Sequence, residues 1–117
     1  MQGWINRVYD KIEALALSIE GVEQRFLSKH CSFSFENQVL FYLKKDAQKI
    51  TLGCNKGYLL EHMFEFDYAS KYMRHWYIKK ENDFNEETIR SYIQEAIVSS
   101  IELNEKTQLR QYLKRKR

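Results

Sequence analysis

Residues 26–57 read FLSKHCSFSFENQVLFYLKKDAQKITLGCNKG, and the parsing of this stretch decides the fold. Phe33 and Phe35 alternate with Ser32 and Ser34, the period of a strand with one buried face. Glu36-Asn37-Gln38 then reads as a polar turn. Val39-Leu40-Phe41-Tyr42-Leu43 is apolar throughout, which suggests a central strand covered on both faces. Lys44 to Gln48 closes a second turn, after which Ile50, Leu52 and Cys54 alternate along another strand. Such short sequential connections predict an antiparallel meander.

Upstream, Ile5, Val8, Ile12, Leu15 and Ile19 recur at helical spacing from Trp4 to about Ile19, predicting an amphipathic helix stopped at Gly21. Asp10, Glu13 and Glu20 fall on a neighbouring flank of that helix. Downstream, residues 58–70 show no clean period and read as a loop with a helical turn around Leu59 to Met63. Met73 to Lys79 alternates once more, with Arg74, Trp76 and Ile78 on one face and Met73, His75 and Tyr77 on the other. Asn85 can cap a following helix whose first turn carries Glu86 and Glu87. Its apolar face is Ile89, Tyr92, Ile93, Ala96, Ile97 and Leu103, while Val98 and Ile101 lie off it. Leu109, Tyr112 and Leu113 extend the helical period toward the terminal KRKR. The expected architecture is α+β: an antiparallel sheet of four to five strands packed against N-terminal and C-terminal helices. It forms a single domain over 1–105 with a basic helical extension over 106–117.

Composition bounds the function. At 117 residues, 44% hydrophobic and 30% charged, the chain suits one core. The net charge of +3 is unevenly placed, because six of the 19 basic residues and no acid fall within 106–117, leaving 13 bases against 16 acids before them. A case for nucleic acid would therefore rest on the tail, which has no reading motif and only Tyr112 as an aromatic. Solvation and favourable charge at a helix C-terminus are the preferred account of it, so nucleic acid is not the expected partner. Cys31 and Cys54 form no CxxC and no export signal precedes them, so reduced thiols in a cytoplasm are expected. No apolar run is long enough to span a bilayer.

Two blocks, QVLFYLKKDAQKITLGCNKGYLL and SKYMRHWYIKKENDFNEETIRSYIQEAI, resemble the YdhG-like family, a family of domains of unknown function. The matching words are Leu52-Gly53, the turn Lys56-Gly57, the strand Lys71 to His75 and the acidic helix entry Asp83 to Ile97, within roughly residues 20–100. The family usually carries a proline before its first strand; this chain has no proline and offers Lys29 to Phe33 instead. The resemblance implies an α+β fold distantly similar to frataxin, a cytoplasmic setting and, for some members, a role in iron delivery.

Three candidate sites follow. Iron delivery calls for exposed oxygen ligands, and Asp10, Glu13 and Glu20 are the carboxylates of that kind, although acids interrupted by Lys11 also describe a solvated helix flank. His30, Cys31, Cys54, His62 and His75 are the transition-metal donors, but they lack the paired spacing of a zinc site. Finally, Lys56 with Arg74 and His75 could converge beside the Gly53 to Gly57 turn as a cationic pocket for a small anion or an acidic partner, against the alternative of separate sheet charges.

No nucleophile, carboxylate pair or cofactor motif places catalytic groups, so an enzyme is not expected. The primary expectation is a small binding or carrier protein, with iron as the cargo the resemblance allows. The alternative is a non-enzymatic interaction module binding an acidic partner or nucleic acid, as a homodimer through Val98, Ile101 and the tail.

Overall fold

The computed structural model describes residues 3–54, 67–68 and 74–115. Helix α1 (Gly3–Leu17) is followed by strands β1 (Val22–Phe26), β2 (Cys31–Phe35), β3 (Gln38–Lys45) and β4 (Ile50–Cys54). The two-residue strand β5 (Asp67–Tyr68), strand β6 (Arg74–Ile78) and helix α2 (Glu86–Arg115) complete the order. One antiparallel sheet runs β1-β2-β3-β4-β6-β5, with both helices against one of its faces. The α+β expectation holds.

The meander forms where alternation placed it, and its turns have local causes. Glu36 and Asn37 take φ of 50° and 65°, the left-handed pair of a two-residue hairpin turn that matches strand twist. Gln38 belongs to β3 rather than the turn. At the next turn, Asp46 Oδ1 accepts bonds from the amides of Gln48 and Lys49 at 2.8 and 3.0 Å. These amides, with the lysines beside them, hold the Asp46 carboxyl below its usual pKa.

Two strand expectations are revised. Val22–Phe26 shows no apolar alternation in sequence, yet it pairs with β2 along its whole length. Gln24 hid the pattern: it stands where an apolar residue would mark the covered face, and its amide is satisfied by donating to Glu13 Oε2 at 2.5 Å. The continuous apolar run in β3 does not mean cover on both faces. A register shift after Phe33 leaves Leu40 as an extra residue, so Leu40 and Phe41 are both buried in succession, while Val39 is exposed.

The core lies between the covered sheet face and the helices. Phe33 and Phe41 stack with ring centroids 4.8 Å apart, and Trp76 meets Tyr92 of α2 edge to face. Ile5, Val8 and Ile12 of α1 and Ile89 and Ile93 of α2 complete it. Asn85 caps α2 as expected, its Oδ1 accepting from the Thr88 amide at 3.0 Å. Ser100 and Asn104 tie the helix to Gln38 through the Gln38 side-chain amide. Beyond Asn104 every described residue of α2 is exposed, so the basic extension is the projecting end of one continuous helix. Among the described residues, no helix is long and apolar enough to cross a membrane.

Candidate functional site

The register lines up one row of residues across the sheet: Arg25 opposite Ser32, Ser32 opposite Tyr42, Tyr42 opposite Gly53, and Gly53 opposite His75. Directly opposed residues share a face. Because Phe33, Leu43, Leu52 and Trp76 point to the helices, this row occupies the other, open face.

Gly53 makes the row a site. A Cβ there would collide with the Tyr42 ring at Cζ, so the phenol ring crosses the strand only because residue 53 has no side chain. The ring thereby reaches over β4 and its hydroxyl bonds Nε2 of His75. Nδ1 of His75 lies 3.2 Å from the Tyr77 hydroxyl. A neutral imidazole has one N–H and one lone-pair nitrogen, so in this Tyr42–His75–Tyr77 chain the ring donates to one phenol and accepts from the other. Burial pulls the pKa of His75 below 6.5, favouring that neutral form, and pushes the Tyr42 phenol up from 10.0. Lys49 holds its ammonium 4.8 Å from the centre of the Tyr77 ring.

Beside Tyr42, the open face of β1, β2 and β3 sinks into a trough of about 520 Å³. Arg25, His30, Ser32, Ser34 and Tyr42 supply much of its polar lining, and the Glu23 carboxylate lines it as well. The His30 ring stands edge-on to Tyr42, centroids 5.5 Å apart. The volume suits a small-molecule site, typically about 300–1,000 Å³.

The expected sites fare differently. Arg74 and His75 do lie on β6 next to β4, as the anion pocket requires, but Arg74 pairs with Cys54 and His75 with Gly53, so they face opposite sides of the sheet. Lys56 and His62 lie outside the described residues. Of the acidic triad, Glu20 leaves the helix altogether: α1 ends at Leu17, and Gly21, at φ 90°, turns the chain into β1. Glu13 is engaged by Gln24, and Asp10 is exposed. Among the described residues no three His, Cys, Asp or Glu side chains are placed to share a metal ion, so the triad does not fit an iron site.

Cys31 and Cys54 are both free and buried on the covered face, in strands separated by β3. Burial pushes the Cys54 thiol up to about 12, well away from the thiolate that reactivity needs. His30 and Cys31 point to opposite faces, as their adjacency on a strand dictates.

Arg25, Ser32, Ser34, Tyr42 and Tyr77 escaped the sequence reading as site residues. Two signals for them were present: a Ser-Phe alternation that assigns Ser32 and Ser34 to a polar face, and a glycine inside a strand. No family model matches the chain, and no curated protein or solved structure matches it either. The likeness to the YdhG-like family accordingly rests on the quoted residues.

Proposed function

We propose that this chain is a small non-enzymatic binding domain that holds a small anionic ligand in the open-face trough. The observation that carries the reading is the set of donors there: the Arg25 guanidinium, the Ser32 and Ser34 hydroxyls and the Tyr42 phenol line one concavity of about 520 Å³, against one acid, Glu23. Guanidinium and hydroxyl donors suit carboxylate or phosphate oxygens, and the His30 and Tyr42 rings offer apolar faces to the rest of a ligand. The anion-binding expectation is kept, but its residues move from β6 to β1–β3. An iron carrier is the less supported form of the same class, because the described residues offer no grouped carboxylates.

Thermal unfolding with phosphate, citrate and a nucleoside monophosphate tests this. An anion at about 100 times its Kd adds about 2.7 kcal/mol of stability and raises Tm by several degrees. His30→Ala and Tyr42→Phe should each weaken that response while the unliganded proteins still fold. A wild-type Tm indifferent to all three anions would count against the reading.

A further inference from the structure

Strand β1 is an edge of the sheet, and the backbone groups on its outward side decide what can pair with it. The amide of Leu27 bonds the carbonyl of His30 at 2.8 Å, which makes Leu27 and His30 a hydrogen-bonded pair of the β1–β2 hairpin. Alternation along an antiparallel ladder then directs the backbone groups of Arg25 and Glu23 toward β2 and those of Phe26, Gln24 and Val22 outward. Among the described residues the outward groups of Gln24 and Phe26 have no partner, whereas the Val22 amide bonds the Ile19 carbonyl at 3.2 Å. Such an edge is a ready template for another strand.

The side chains select which strand. When VEQRF is laid antiparallel on a second VEQRF about Gln24, Val22 meets Phe26 and Glu23 meets Arg25, each pair repeated by the two-fold, while Gln24, whose side chain is held by Glu13, meets Gln24 through the backbone alone. Glu23 and Arg25 fall at non-hydrogen-bonded positions of this new ladder, where opposed side chains come closest. Both are exposed, and neither has an ion-pair partner among the described residues. Phe26, on the covered-face side, is 73% exposed, the most exposed large apolar residue of those described. In the pairing it lies opposite Val22 of the other copy, a residue already buried in its own core. Four backbone hydrogen bonds become available: Gln24 amide to Gln24 carbonyl twice, and Phe26 amide to Val22 carbonyl twice.

We propose that the chain forms a two-fold dimer through antiparallel β1–β1 pairing centred on Gln24. The contact uses the same strand on both copies and therefore closes at two. It continues the sheet from one copy into the other and sets the two open-face troughs side by side across the paired Glu23 and Arg25. It shares Arg25 with the ligand reading but is argued from the strand edge and its register, and it differs from a dimer through Val98, Ile101 and the tail.

Charge exchange tests the register. Sedimentation equilibrium of the full chain should give a dimer. Glu23→Arg or Arg25→Glu alone places two like-charge pairs across the two-fold and should raise the dimer Kd by about 30-fold. The double variant Glu23→Arg, Arg25→Glu restores opposite charges and should return the Kd to within about threefold of wild type. Both positions are exposed, and circular dichroism melts of the three variants confirm that each is folded. A wild type that remains monomeric at about 1 mM overturns the proposal. So does a dimer indifferent to either single exchange, or one that the double exchange fails to restore. Capture of an extended peptide from a different protein by a monomeric wild type would assign the edge to that partner and likewise overturn it.

Discussion

The two faces of the sheet are made by the same strands, residue for residue, yet they do opposite work. Toward the helices point Phe33, Phe41, Leu43, Ile50, Leu52, Cys54, Trp76 and Ile78, all buried. Away from them point Arg25, Ser32, Tyr42, Thr51, His75 and Tyr77, with Gly53 as the gap that lets Tyr42 and His75 meet. The first face is held by area and close packing; the second by a few directional bonds of modest net value. The difference teaches where this chain can change: the covered face determines whether it folds, and the open face is where recognition can be altered without loss of the fold.

Neighbouring residues of β3 give the sharpest contrast. Phe41→Ala empties a fully buried site stacked on Phe33 and should cost about 3–5 kcal/mol in urea unfolding. An effect below about 1 kcal/mol would mean that the covered face is not the stabilising one.

On the open face, Gly53→Ala should cost about 1–3 kcal/mol, because the added Cβ meets the Tyr42 ring and must displace it. In a Tyr42→Ala background most of that cost should vanish, a coupling measurable by a double-mutant cycle. If the two changes add independently, the ring does not occupy the space over Gly53.

Tyr42→Phe keeps the ring and removes one bond to a half-buried imidazole, so about 1 kcal/mol is expected. The same variant should move the His75 titration, followed through its imidazole proton shifts by NMR.

The smallest effect is the pH dependence that His75 contributes. Its folded pKa lies below the 6.5 of the exposed group, chiefly through burial. Between those values the unfolded chain binds more protons, so this contribution is full above pH 6.5 and is lost as pH falls through the folded pKa. Tm measured downward from pH 7 should decline more for wild type than for His75→Gln; equal slopes would contradict the assigned environment.

Much of the covered face was readable in the sequence because burial imposes period. Ile5, Val8 and Ile12 marked α1, Ile50, Leu52 and Cys54 marked β4, and Asn85 with its acidic turn marked the start of α2. Strand β1 was not readable, since Gln24 replaces an apolar residue and is satisfied only by a glutamate on another element. The bulge at Leu40 was likewise invisible, because a two-sided apolar run has the same composition whether it is bulged or covered twice. The open face has no period of its own to read. Its residues are united by strand register, a long-range property, and so Tyr42 and His75, 33 positions apart, came together only once the pairing of β3, β4 and β6 was known.

The most direct test of the division between the two faces is an amide-resolved NMR titration with the anion that stabilises the protein most. Saturable shifts should concentrate on Arg25, His30, Ser32, Ser34 and Tyr42, while Ile5, Ile12, Ile89 and Ile93 stay in place. Shifts centred instead on the α1 flank around Asp10 and Glu13, or none that saturate, would contradict the assignment of binding to the open face.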